Sequence, residues 1–446
     1  MLRLRRKGVV RRFLQLLTVS WLGAAGVAPG NGVLHEGFGA RDAGAAGVFA
    51  GTDGDALSAM QTNPAALAML GGDQGTISLR GGWANGRFTK GGRRYQMEVP
   101  GGFPEAGLAW RPAGGAVTLG ASVAPLAAAK GEWVFPDAAG GIGGISYGAA
   151  HPHDSGFLAA RANVGLGWRL GDGWAVGASI GAVYGRVDFD APFIFQTHPA
   201  LAGAKVDLDL ATDGWEAMYE FGAVWEPRDD VRVEFHCRPQ VTLDLDGRAG
   251  ADFSAQLPPL GLGGTPALAN YRAHTRNALP TVAGAGLAWQ MLPRFKAGLR
   301  LDWIGWGNAF DVLDVSLTGG TNAAINGAIG AHVADRVPVR WKNTWVIGLG
   351  GEYEIDDQWS LRGGWRWGES PVPSAFATPL NASLLEHTLA VGLGWRQDSW
   401  RLDLSYEYQF GGAAKVMASG YRAGEYANSK LDFDAHVVGL GLTVNY

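Results

Sequence analysis

Few residues in this sequence stand at spacings that chemistry would use. His151-Pro152-His153-Asp154 gathers two imidazoles and a carboxylate, ligand types that zinc takes. No second cluster completes the set and the proline disfavours a fixed pair, so the run is expected in a solvated extracellular loop. Asp53-Gly54-Asp55 begins like a calcium loop but lacks the later ligands. Gly284-Ala285-Gly286 and Gly348-Leu349-Gly350 are glycine-rich, yet no phosphate-cradling helix follows either. The sequence has 1 cysteine, Cys237, which removes both an intramolecular disulfide and a thiol pair for structural zinc. No Ser, His and acid are brought together by any shared face. The chain therefore reads as no enzyme, with no catalytic residue, metal site or cofactor.

The elements that must position its polar residues repeat one pattern. From Leu158 the even positions read Leu158, Ala160, Ala162, Val164, Leu166, Trp168 and Leu170, against Ala159, Arg161, Asn163, Gly165, Gly167 and Arg169 on the odd ones. The same split runs through Trp400, Leu402, Leu404, Tyr406, Tyr408 and Phe410, and through Trp359, Leu361, Gly363, Trp365 and Trp367. Successive side chains of a strand point to opposite faces, so each stretch has one apolar and one polar or small face. About fourteen such segments occur, each long enough to cross a bilayer when tilted. They span 76–87, 103–112, 116–126, 157–170, 173–189, 214–226, 230–244, 281–291, 294–307, 341–355, 358–368, 386–396, 399–411 and 435–446. Short turns such as Gly171 to Gly173 and Asp356 to Asp357 alternate with long loops expected over 190–213, 245–280, 308–340 and 412–434. Trp110, Trp168, Trp174, Trp225, Trp289, Phe295, Trp359, Trp395 and Trp400 all lie near short turns, as an interfacial girdle would. The last strand, Val438, Leu440, Leu442, Val444 and Tyr446, ends on an aromatic residue, like the terminal strand that barrel insertion machinery reads.

Composition agrees with this reading. Gly is 70 residues and Trp 18 of 446; a mean hydropathy of +0.00 is what alternation between lipid-facing and lumenal residues averages to. Arg3, Arg5, Arg6, Lys7, Arg11 and Arg12 precede the apolar run Phe13 to Leu22 and the small residues Gly23 to Gly26, the pattern of a cleaved signal peptide over residues 1–30. Its removal takes six positive and no negative charges from a net charge of −4, leaving about −10, which argues against nucleic acid as a partner.

Ahead of the first strand the composition changes. Gly37 to Gly51 is mostly small, Asp53 to Met60 reads as a short helix capped by Thr52 or Asp53, and Asn63-Pro64-Ala65-Ala66-Leu67 reads as a second helix with Asn63 as cap and Pro64 at its first position. Gly37-Phe38-Gly39-Ala40, Asp53 and Asn63-Pro64-Ala65 resemble the N-terminal hatch of the FadL family of outer-membrane long-chain fatty-acid and hydrocarbon transporters. Gly131-Glu132-Trp133, Ala182-Val183-Tyr184-Gly185-Arg186, and Trp359 to Trp365 running into Glu369-Ser370-Pro371-Val372-Pro373 resemble it as well. The likeness covers the chain from residue 31 to its C-terminus.

The resemblance implies an all-β fold, a 14-stranded antiparallel transmembrane β-barrel (76–446) holding a hatch (31–75) in its lumen. It implies passive uptake of hydrophobic small molecules through the bacterial outer membrane: capture by extracellular loops, hatch gating, and lateral exit at an inward kink of the third strand. Hatch residues are Gly37, Phe38, Asp53, Asn63, Pro64, Ala65 and Leu67; Pro125, which cannot donate to the ladder, is the candidate lateral gate. For a ligand carboxylate, strand parity offers Arg161, Arg300 and Arg362 on the inner face. Family likeness offers Arg186, although parity puts it on the lipid side. Phe193 and Phe195, in Pro192-Phe193-Ile194-Phe195, and Leu257 to Leu262 are expected to form an apolar landing surface. Glu216, Glu220, Arg232, Glu234 and Arg238 are expected to brace hatch against wall. The partners implied are the hydrophobic ligand, outer-membrane lipid and lipopolysaccharide, and the insertion machinery, with the chain a monomer. The alternative is a polar-solute porin with an open channel.

Overall fold

In a computed structural model, residues 32–112, 115–381 and 383–446 are described; the expected signal peptide lies outside them. The strands are β1 (Gln74–Lys90), β2 (Arg93–Trp110), β3 (Val117–Phe135), β4 (His151–Gly171), β5 (Trp174–Ile194), β6 (Lys205–Arg228), β7 (Val231–Arg238), β8 (Val241–Asp252), β9 (Leu268–Leu279) and β10 (Val282–Leu292). They continue as β11 (Phe295–Ile304), β12 (Val312–Thr318), β13 (His332–Pro338), β14 (Thr344–Glu354), β15 (Trp359–Gly368), β16 (His387–Gln397), β17 (Trp400–Phe410), β18 (Ala414–Val416) and β19 (Ser429–Asn445). β7 with β8, β9 with β10, β11 with β12, and β13 with β14 are single staves broken once, and β18 is a loop hairpin on β19. The result is a closed barrel of 14 antiparallel staves, sealed where Gln74↔Asn445 through Lys90↔Ser429 join β1 to β19. Closure is what lets a sheet cross lipid, because no edge then exposes unpaired backbone groups to hydrocarbon.

The alternation read from the sequence sets the two faces. Val164, Leu166, Trp168, Leu402, Leu404 and Leu361 point outward and are exposed, whereas Arg161, Asn163, Arg362, Asp403 and Glu407 on the opposite parity are buried inside. Around the short-turn rim, which faces the periplasm, Trp110, Trp168, Trp289 and Trp400 are exposed and Trp174 stacks on Trp225 with centroids 5.4 Å apart.

Two expectations about the opposite rim are corrected. The long loops are in good part strand: β5 runs to Ile194, β6 starts at Lys205, and β8, β9, β12 and β13 extend into 245–280 and 308–340. The His151-Pro152-His153-Asp154 run begins β4 rather than lying in a loop, with the His153 ring stacked on Phe135 at 3.7 Å. Between β1 and β2 the connection is only Gly91-Gly92, both at positive φ, a conformation open to glycine without cost.

Residues 32–70 fold inside the wall as a helix at Gly39–Ala43, a turn, a helix at Ala56–Thr62 and a 3-10 turn at Pro64–Met69. The first cap differs from the expectation. Asp55, not Thr52 or Asp53, accepts from the Leu57 and Ser58 amides, and the Asp55 amide donates to Ser58 Oγ at 2.8 Å. Asn63 caps the 3-10 turn through Ala65 N at 3.0 Å, with Pro64 at its first position.

Candidate functional site

The hatch is seated by close packing and by ion pairs. A Cβ built on Gly107 (β2) would stand 2.4 Å from Leu57 Cα, one on Gly177 (β5) 2.2 Å from Ala65 N, and one on Gly364 (β15) 2.4 Å from the Ala45 carbonyl. Strand glycines therefore let hatch backbone lie directly on the wall from several sides. Polar groups fix the rest. Arg161, buried on β4, donates to Gln61 Oε1 at 2.8 Å, to Gln61 O at 3.0 Å and to Glu220 at 2.9 Å. Asn63 Nδ2 donates to Glu234 at 2.7 Å; Arg80 bonds Glu407 and the Gly37 carbonyl; Asp53 meets Lys296, and Arg41 at 3.3 Å.

Removing one partner of a buried pair strands the other charge in low dielectric, at a cost of about 3–5 kcal/mol. Arg161→Met is thus expected to destabilise the wall by that order, since Glu220 keeps its burial and loses its guanidinium, and to loosen the hatch, since Gln61 loses its bonds to Arg161. Limited proteolysis within residues 32–70 and thermal unfolding in detergent check this; unchanged protection would mean that Arg161 does not hold the hatch.

On the extracellular side of the hatch lies an apolar cavity of about 250 Å³. Phe157, Phe193, Phe310, Trp341, Tyr426 and Phe433 are among its walls, and hatch residue Val33 also lines it. Trp341 stacks on Phe310 at 4.6 Å and meets Trp306 edge-on at 4.9 Å, a cluster that gives the wall rigidity. Charged groups reach this cavity but most are already engaged: Asp188 by Arg186 at 2.7 Å, Glu425 by Lys205 at 3.0 Å, Asp434 by Arg87 at 2.9 Å. Burial pushes the Glu425 carboxyl above its ordinary range, with Lys205 opposing. Aromatic walls with most charges already engaged suit a ligand whose bulk is apolar.

Beside this cavity the wall is interrupted. β2 pairs with β3 only from Ala106↔Val123 to Trp110↔Leu119, while β3 shifts register on β4 between Pro125 and Ala127. Past that point the N-terminal segment pairs with β3 instead: Leu34 bridges Ala127, the His35 amide donates to Leu126 O at 2.7 Å and the Ala128 amide to Val33 O at 2.9 Å.

The candidates separate accordingly. Arg161, Arg300 and Arg362 all point inward but stand in the charged hatch and wall layer, Arg300 against Asp302 at 2.8 Å and Arg362 against Asp403 at 2.7 Å, and none lines the apolar cavity. Arg186 faces outward on β5 and is bidentate to Asp188. Phe193 lines the cavity; Phe195 is buried one layer behind, edge-on to Phe193 at 5.1 Å. Leu257 is no landing surface, being buried with Leu201 and Phe253 in a loop cluster of its own. Gly37, at φ +72, and Phe38, Leu67 and Ala65 are packed within the hatch. Phe310, Trp341, Tyr421 and Phe433 were not found from the sequence. They come from elements far apart in the chain, and no alternation marks them as neighbours.

Comparison with known proteins places this arrangement. The chain aligns with crystal structures of a Pseudomonas aeruginosa FadL homologue (17% identity, 93% of this chain and 99% of that one, TM-score 0.73), the P. putida toluene transporter TodX (15%, 92% and 99%, 0.72) and the Ralstonia pickettii toluene transporter TbuX (16%, 92% and 99%, 0.68). At such identities these show the shared fold. No curated protein matches. The profile of one family, described as outer membrane protein transport protein (OMPP1/FadL/TodX), matches residues 22–446. The chain is therefore a member of the FadL/TodX family of outer-membrane transport proteins, a barrel of the Gram-negative outer membrane.

Proposed function

We propose that this barrel carries hydrophobic small molecules, long-chain fatty acids or hydrocarbons, passively inward by loop capture, a hatch-controlled step and lateral exit. The observation that carries the proposal is the apolar aromatic-walled cavity, floored by hatch residue Val33 and set beside the unpaired stretch between β2 and β3. A ligand held there meets mostly apolar and aromatic walls, and the nearest break in the backbone ladder leads sideways rather than down through the charged layer. Burial of apolar area, about 25 cal/mol per Å², drives entry, and no energy source is needed. Hatch backbone packed directly on the wall strands opposes passage of a hydrated solute, which is the argument against the porin reading.

Uptake of labelled oleate, toluene and a small sugar in cells expressing the intact chain or a form lacking residues 31–70 tests this. The intact protein is expected to admit a hydrophobic probe and exclude sugar, and the truncated one to pass sugar. Free passage of sugar through the intact protein with no gain for either hydrophobic probe would make it a porin.

A further inference from the structure

Outward cations above the membrane zone of this barrel follow a rule, and two rows break it. The rule is neutralisation by a neighbouring acid, across strands where Arg276 stands opposite Asp244 at 2.6 Å, Arg336 opposite Asp314 at 3.1 Å and Arg87 opposite Asp432, and along the strand where Arg186 meets Asp188 at 2.7 Å. In the first exception Arg248 on β8 faces Arg272 on β9, which continues across the staves to Thr318 on β12 and His332 on β13. In the second, Lys415 on β18 faces Lys430 on β19, continuing to Thr89 on β1 and Arg94 on β2. Both rows thus read cation, cation, threonine, basic residue. All six basic residues are exposed, and none has an ion pair among the described residues. Like charges directly opposite on a sheet repel, so each row is stable chiefly with an anion between its members.

Position says which anion. A second ring of outward aromatics, including Trp83, Trp215, Trp345 and Trp367, marks the outer interface. Thr89 lies further along β1 than Trp83, and Arg248 lies beyond the part of β8 that is level with Trp215. At about 3.3 Å per residue and a tilt of about 40°, the rows stand about 10 to 15 Å above that ring. That is the level of the phosphates and inner-sugar carboxylates of the outer-leaflet glycolipid. Of the acids beside the rows, Asp432 is held by Arg87 and Asp246 meets His274 at 3.0 Å, whereas Asp209 and Asp213 on β6 are exposed on either side of the position opposite Arg248, so the Lys415–Lys430 row is the stronger of the two sites.

We infer that these two rows are lipopolysaccharide-binding sites, each clamping an anionic group of one glycolipid between two opposed cations with the threonine hydroxyl as a further donor. Arginine and lysine suit this task through charge-assisted bonds to phosphate. The inference uses the outer-membrane setting that family membership gives and is independent of what the lumen carries.

The test uses the full-length chain purified free of glycolipid, in chelator so that divalent cations cannot bridge, then offered a deep-rough lipopolysaccharide with bound lipid counted by native mass spectrometry. Arg248→Gln with Arg272→Gln, and Lys415→Gln with Lys430→Gln and Arg94→Gln, are each expected to lower the count of bound glycolipid from two to one per barrel, the altered row losing at least about tenfold in affinity. Arg276→Gln, taken from a paired position, is expected to leave retention near wild type. Dephosphorylated lipid is expected to bind weakly to every form. Undiminished retention in both row variants overturns the inference, and so does equal retention of dephosphorylated lipid. Equal protection against heat by inorganic phosphate alone would show a plain anion site and would overturn the assignment to glycolipid.

Discussion

Oxidative cross-linking of Leu34→Cys to Ala127→Cys, in a Cys237→Ser background, is expected to reduce hydrophobic uptake to that of cells lacking the protein, and reduction to restore it. The two residues are bridge partners. Opposed residues of an antiparallel pair have Cα atoms about 4.5–5.5 Å apart, inside the span a disulfide tolerates, so the bond closes without moving the backbone. Its effect follows from what the pairing does. Above Val123, β3 has lost β2 as a neighbour and takes backbone bonds from Val33 to His35 in its place. If the ligand leaves the cavity between β2 and β3, that segment must come away first. Its two long-range backbone bonds are worth only about 0.5–1.5 kcal/mol each, small enough for a bound ligand to displace. A covalent bond is not. Full uptake through the oxidised form would exclude this exit and direct attention to a path down through the charged layer.

A second large effect is expected from filling the hatch seat. Gly177→Leu and Gly364→Leu place side-chain carbon where Ala65 and Ala45 backbone now lies, and backbone cannot turn aside as a side chain can. Overpacking of this kind costs about 1–3 kcal/mol, which shifts a seated-to-displaced equilibrium about 5- to 150-fold. Sugar permeability in a liposome swelling assay is expected to rise by a factor in that range. Ala178→Leu is the control, since Ala178 shares β5 and its outward parity with Trp174 and Ile180, and it is expected to change nothing. Swelling that stays at background in both lumenal variants would mean that the seat yields without unseating the hatch.

The inward and outward faces were legible because strand geometry has a period of two and lipid enforces it: Arg161 and Trp168 were assigned to opposite faces by counting alone. Short turns and their tryptophans were legible for the same reason, and so was the Asn63-Pro64 cap, whose chemistry is local. Strand length was not. His151 and the residues from Leu208 to Asp213 lack a lipid face because they stand above the membrane: Leu208 and Leu210 alternate with Asp209 and Ala211, but the apolar side is buried inward and the outward side is acidic or small, the reverse of a lipid-facing segment. Nor could parity distinguish a lumenal arginine that braces the hatch from one that meets ligand, since Arg161, Arg300 and Arg362 differ only in what the folded hatch brings to them.

The sequence by itself determined the barrel, the order of its staves and the presence of a capped segment ahead of them, because each depends on neighbours in the chain. Only the tertiary structure decided where the plug seats, which aromatics enclose the cavity, and that Val33 to His35 replace β2 along part of β3. Those depend on contacts between Trp341 and Phe310, Gly177 and Ala65, or Leu34 and Ala127, and no periodicity in a chain records which distant residues closure will bring together.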